Sequence, residues 1–372
     1  MTWRVCHNQF TKITGSTDKW TAWLNEGAVL VYRVIQWGAG ANGSALIRGV
    51  AAHADLELVA CRVYDPVKDG VDAGVLAGTS TLGVPASTDR QRVIDTDADV
   101  VLFCPRQEFD PSVTDADIVD LLRSGKDVIS VTGAHSFPAA IPGYAEQFEE
   151  ACRVGGSTFS HGGINPGFIA ERFAPVVTGI CTDVTSVTVR ESFNSGASTQ
   201  SVVESMGFGS EIKNWTTDTP VGRMFDRLFV QLIHHLASSL GVELSHVTTS
   251  VTVHPAPHDI TLPSMVVRQG TVAGIELRWE GVPVDPDQVV VAKETRWVCS
   301  DDLPGLPVQS GWQVAVEGVP SLLATIQMTD GADPQQKDAC MVGAAIPMIP
   351  EVVAAPPGIH FVTTSAPFRK RF

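Results

Sequence analysis

The residue run with the clearest chemical meaning is Gly38-Ala39-Gly40-Ala41-Asn42-Gly43, a GxGxxG lying where an apolar segment ends and an amphipathic one begins. In such a run the first glycine permits a tight turn and the second lets backbone amides approach a pyrophosphate. The third lets helix and strand pack closely. The free N–H groups and the positive end of the helix then hold the phosphates. That chemistry is the binding of NADP or NAD. The choice between them falls at the end of the second strand, about 20 residues further on. Arg62 stands near that point and Asp65 lies just beyond it. A guanidinium aimed at the ribose binds a 2′-phosphate and favours NADP, whereas a carboxylate there favours NAD. A surface ion pair is the plain alternative for Arg62. The expectation is NADP through Arg62, with NAD as the second choice.

Redox chemistry at such a cofactor also needs a group that passes a proton. His135 closes an apolar segment at the edge where ligand sites of α/β folds gather, and an imidazole titrates near neutrality. Glu108 follows Cys104-Pro105 at the end of another such segment. These two are the candidate catalytic residues; the bland readings are a histidine bonded to a loop carbonyl and a solvated carboxylate. Cys104, Pro105 and Asn165 are expected along the cofactor, although Asn165 could instead cap the helix that opens at Pro166. His161, before Gly162-Gly163, and Asn194, in the run FNSGAST, are expected to face the substrate, against a hinge and an ordinary polar turn. His234 and His235 read as helix packing. His254 and His258 flank prolines without a cysteine or carboxylate at ligand spacing, so no metal site is expected.

These residues need a scaffold, and the chain's rhythm supplies one. Apolar segments at 29–37, 56–64, 97–104, 126–133 and 157–162 alternate with amphipathic stretches at 42–53, 112–123 and 141–156. Strands alternating with helices imply a parallel sheet covered on both faces. Past residue 165 the rhythm changes to a short helix (167–177), a strand (182–193) and a long helix (219–240) opened by Thr219-Pro220 and stopped by Gly241. Alternating segments near 247–254, 264–282, 288–299 and 311–328 predict an antiparallel or mixed sheet. The fold class expected is α/β, a Rossmann-type parallel sheet followed by a second α+β domain. The expected divisions are an N-terminal extension (1–28), a dinucleotide-binding domain (29–163), a substrate and dimerisation domain (164–334) and a C-terminal helix and tail (335–372) packing back on the first domain.

Composition narrows the field. A formal net charge of −15 argues against general affinity for nucleic acid or anionic membranes, and 44% hydrophobic residues can build a large core. No apolar run is long enough to span a bilayer, and the N-terminus lacks a secretory layout. Seven scattered cysteines without a CxxC pair read as reduced core thiols of a cytoplasmic protein.

Three stretches together, VYRVIQWGAGANGSALIRGV (31–50), GGINPGF (162–168) and AAIPMIPEVVAAPPGI (344–359), resemble the dihydrodipicolinate-reductase-like group that contains 2,4-diaminopentanoate dehydrogenase and the native amine dehydrogenases. The resemblance spans about residues 30–360. It implies a homodimer and a reaction between an amine and its carbonyl partner, through an imine reduced by nicotinamide hydride. The paired-histidine and lysine segment of true dihydrodipicolinate reductases is missing. The glutamates that face the substrate nitrogen in amine-dehydrogenase relatives fall here on Gly133 and Ala134. Either the acid comes from elsewhere or the substrate is not a simple amine. Two other readings stay open: an alcohol or carbonyl oxidoreductase using His135, and a dinucleotide-binding sensor without catalysis.

Overall fold

The structure is a computed structural model that describes residues 31–106, 110–329, 334–362 and 367–369. The extension expected at 1–28 lies outside the described residues.

Seven strands form the first sheet: β1 (Tyr32–Trp37), β2 (Leu56–Arg62), β3 (Ala86–Ser87), β4 (Val100–Phe103), β5 (Asp127–Ser130), β6 (Thr158–His161) and β15 (Gly358–Ile359). They run parallel in the order β15-β6-β5-β4-β1-β2-β3. Alternate residues feed two cores. Val34, Leu102 and Ile129 pack on one side against the helix Ala41–Ala52, and Ile35, Trp37, Val101 and Phe103 on the other against the helices Ser112–Arg123 and Glu146–Gly155. All four residues of β4 are buried, as a parallel strand covered on both faces requires.

The second sheet is built from β7 (Asp183–Asn194), β8 (Leu244–Pro255), β11 (Val272–Pro283), β12 (Val290–Val298), β13 (Gly311–Val319) and β14 (Leu322–Ile326) in the order β14-β13-β7-β12-β11-β8. Only the β7–β12 pairing is parallel, so the sheet is mixed. One face packs on the long helix Pro220–Ser239, whose Thr219 side chain accepts the Gly222 N–H at 3.1 Å. The other face is open and charged.

Several expected elements divide. The segment 264–282 splits into β10 (Val266–Val267), which pairs with β9 (Ile260–Thr261), and β11. The segment 311–328 turns at Pro320 into β13 and β14. The tail helix breaks at its prolines into Pro334–Ala345, Ile346–Met348 and Ile349–Ala354. Ile346, Ile349 and Val352 pack in the same core as Leu46 and Ile47, and the chain then adds β15 beside β6. Among the cysteines, Cys61, Cys104, Cys152 and Cys299 are buried, whereas Cys181 and Cys340 are partly exposed and so are not core residues. Among the described residues, no helix is long and apolar enough to cross a membrane.

Candidate active site

After β1 the chain moves outward through β2 to β3, and then returns to β4 on the opposite side of β1. The carboxyl ends of β1 and β4 therefore flank the crevice where ligands of doubly wound sheets bind. Gly38 turns there with φ of +94°, and a Cβ on it would stand 2.5 Å from the Cys104 carbonyl oxygen. Gly43 sits in the first turn of the helix so close to Gly38 that a Cβ would lie 2.0 Å from the Gly38 carbonyl oxygen. Beneath them the wholly buried Gln36 donates its amide N–H to that same carbonyl at 2.8 Å. The helix Ala41–Ala52 starts without a side-chain cap, and Gly40, Ala41 and Asn42 are exposed at its tip. A Cβ on Gly40 would meet nothing within 4 Å. This cradle of uncapped N–H groups fits a pyrophosphate.

At the end of β2, the Arg62 guanidinium donates to the Val63 carbonyl and lies 4.6 Å from the centre of the Tyr64 ring. It makes no ion pair among the described residues. Asp65 is occupied otherwise, since its carboxylate accepts the Val67 N–H at 3.0 Å. Lys68 reaches back to the glycine turn and donates to the Ala39 carbonyl at 2.8 Å.

His135 has a different surrounding from the one expected. Its side chain is 1% exposed. It lies among the rings of Phe103, Phe148 and Phe159. Nε2 stands 2.8 Å from the Asp115 carboxylate, and Nδ1 stands 2.8 Å from each of the Ser130 and Thr132 hydroxyls. Burial pushes its pKa down against the pull of Asp115. Both nitrogens are thus engaged by protein groups, so a neutral, core-locked ring stands where a proton donor was expected. Glu108 lies outside the described residues.

Two buried polar clusters meet at the junction of the sheets. In the first, the Glu171 carboxylate stands 3.4 Å from Nδ1 of both His161 and His235. Burial works to raise its pKa, but the two histidines outweigh that and hold it at about 2. His161 at the end of β6 is therefore a partner of Glu171, with its Nε2 and the Glu171 Oε1 left without a hydrogen bond. In the second, Asn165 donates its amide to Glu191 of β7 at 2.5 Å, and Glu191 also receives the indole N–H groups of Trp297 and Trp312 at 3.0 Å each. Lys293 of β12 stands 3.7 Å from the same carboxylate; burial pushes its pKa down to about 8, with Glu191 pulling the other way. Asn165 caps no helix. Asn194 lies apart from both clusters, its side chain accepting the Gly196 N–H at 2.8 Å beside a hollow of about 460 Å³ that Cys299, Asp301 and Asp302 also line.

Residues 168–367, more than half of the chain's 372 residues, match the family described as the 2,4-diaminopentanoate dehydrogenase C-terminal domain. The chain belongs to this family. An amine dehydrogenase of Streptomyces virginiae is 26% identical over 339 residues, covering 88% of this chain and 94% of that protein. A 2,4-diaminopentanoate dehydrogenase of Acetoanaerobium sticklandii is 25% identical over 347 residues, covering 88% of this chain and 91% of that one. The solved amine dehydrogenase of Mycobacterium smegmatis superposes with a TM-score of 0.69 at 20% identity, over 92% of this chain and 97% of its own. The fold of that structure, a Rossmann-type sheet with a second mixed sheet, is the fold found here.

The crevice gathers Gly38 to Gly43, Cys104, Pro105, Arg62 and Lys68 into one place, whereas Asn194 lies at the end of β7 in the second sheet. Gln36, Lys68, Glu171, Glu191 and Lys293 join these sites without a motif around them, and His235 reads in sequence as helix packing. A signal existed for two of them. Glu191 lies in the strand row of Val187 and Val189, and Lys293 in the row of Val291 and Trp297, so both are charges on an apolar face. Among the described residues, no group of three or more metal-binding side chains gathers.

Proposed function

We propose that the chain is an NADP-dependent amine dehydrogenase, interconverting a small amine and its carbonyl partner through an imine. The observation that carries this reading is the uncapped glycine turn in the crevice between β1 and β4, with the guanidinium of Arg62, which makes no ion pair among the described residues, at the end of β2. Asp65 caps the turn that follows, its carboxylate accepting the Val67 N–H, and this supports Arg62 as the group nearer the ribose. Arg62 and Lys68 supply two cations for a 2′-phosphate. The bound cofactor supplies or accepts the hydride.

The chain's own residues then do the rest. The tip of the helix Ala41–Ala52 anchors the pyrophosphate, and the Cys104-Pro105 backbone narrows the crevice beside it. Glu108, three residues past Pro105, is the carboxylate assigned to move a proton at the substrate nitrogen. His135 is left out of that role because both its nitrogens are engaged. The working unit is a homodimer, and the open face of the second sheet, where Arg190, Arg278 and Arg296 alternate with Glu276 and Glu294 around a trough of about 640 Å³, suits a charge-complementary partner. Its place is the cytoplasm, where thiols stay reduced.

Calorimetry with NADPH and NADH on the wild type and Arg62→Ala tests the cofactor assignment. NADPH should bind more tightly and weaken by roughly tenfold or more in the variant, with NADH little affected. Glu108→Gln should lower kcat for amine oxidation by about 10²–10⁴. Binding of neither dinucleotide would sink the enzymatic reading, and oxidation of alcohols in place of amines would redirect it.

A further inference from the structure

The buried pair Glu191–Lys293 has no part in the reaction so far described. Sealing two opposite charges inside a protein is often no more stable than an apolar substitute, so stability alone does not account for it. The contacts offer another reason. Glu191 receives four groups: the indoles of Trp297 and Trp312, the Lys293 ammonium, and the amide of Asn165. Three of these belong to the second sheet. Asn165 comes from the turn that leaves β6, so the carboxylate ties the exit of the first sheet to the second sheet.

An amide that faces a carboxylate must present its NH₂ group, because the carboxylate only accepts. The Asn165 oxygen is thereby turned away from Glu191. That oxygen is buried and has no partner, and the same is true of the Thr295 hydroxyl, two residues beyond Lys293 in the same strand row. Buried polar atoms are rarely left unpaired, so the Asn165 oxygen is an acceptor still open to a donor. The orientation also reverses the role expected for Asn165: it offers the ligand an acceptor, which excludes a carbonyl oxygen and, backed by a carboxylate, binds the charged N–H of an ammonium or iminium more strongly than the neutral O–H of an alcohol.

We infer that Glu191 is a positioning residue for the substrate nitrogen, aiming the Asn165 oxygen to accept an N–H from the amine. The inference rests on the amine reading above. As the amine gives up a hydride, with its electron pair, to NADP⁺, its C–N bond becomes a C=N bond and the nitrogen becomes cationic while keeping its N–H groups. The Asn165 oxygen, polarised by a carboxylate at 2.5 Å, then binds the cation more strongly than the neutral amine. Lys293, at 3.7 Å, stands further from the carboxylate than Asn165 does and keeps the pair neutral inside the core.

The test is binding of a panel of primary alkyl amines, and of alcohols with the same carbon skeletons, to the NADPH-loaded protein. It compares wild type, Asn165→Leu, Glu191→Gln and the double variant, with amine oxidation rates measured alongside. Each single variant should weaken amines about tenfold or more relative to alcohols, while NADPH affinity stays within about twofold. The double variant should lose no more than the worse single one, because the two residues act as a unit. Should Glu191→Gln not fold, Asn165→Leu carries the test, since it leaves the two indoles and Lys293 around Glu191. Amines and alcohols weakening together, or single effects that add, would overturn the inference. Unchanged amine binding and turnover in the variants would end it while leaving the dehydrogenase reading intact. Amines that bind in the wild type, lose affinity in both variants and never turn over would leave the positioning role standing and remove the dehydrogenase.

Discussion

The glycine turn and the polar junction are two kinds of site built in one molecule. The turn is local. Gly38 to Gly43 are contiguous, and their supports, Gln36 below and Lys68 above, lie within about one strand–helix–strand unit. The junction is assembled from β6, the turn after it, the helical turn Phe168–Phe173, β7, the helix Pro220–Ser239, β12 and β13, with partners up to 121 residues apart. The turn works by leaving backbone N–H groups uncovered at the surface. The junction works by hiding charges, and its chemistry comes from what burial does to them. A binding site can be made of short-range geometry, whereas a tuned electrostatic site needs the whole fold closed around it.

The comparison breaks most readily at the junction. Lys293→Met leaves the Glu191 carboxylate buried without its cation and should cost roughly 3–5 kcal/mol of stability in chemical denaturation. Adding Glu191→Gln should restore much of it. A single variant as stable as the wild type would mean that the charges are not buried as described. At the turn, Gly43→Ala drives a Cβ to 2.0 Å from the Gly38 oxygen, and the loop must open. NADPH affinity should fall roughly a hundredfold, with a smaller loss of stability of about 2 kcal/mol. Wild-type affinity in that variant would show the cradle to be more pliant than its geometry implies.

A finer contrast lies in pH. Glu171 is held at about 2, below the ordinary carboxylate value of 4.5, so the stability it contributes is complete above about 4.5 and is lost as pH falls towards 2. Denaturation followed between about pH 5 and pH 2 should show a loss that Glu171→Gln lacks. An identical acid limb in both proteins would remove Glu171 from the account.

The legibility of each part follows from these distances. The strand–helix alternation, the GxGxxG and the caps at Thr219 and Gly241 are short-range patterns, and they could be read from neighbouring residues. The surroundings of His135 are not legible from its neighbours: its place at a strand end is visible in sequence, while the three aromatic rings and Asp115 that enclose it come from other elements. Glu191 and Lys293 were visible as charges in apolar rows. Their meeting was not, since it depends on the parallel register that sets Lys293 opposite Val189 and Thr295 opposite Glu191.

By itself the sequence determined the periods, the turns and the glycine cradle, because these depend on backbone conformation and on residues a few positions apart. The tertiary structure decided which charges meet, which are sealed from water and which amide oxygen is left unpaired. Burial and pairing across distant strands set those outcomes, and neither is a property of any local stretch of chain.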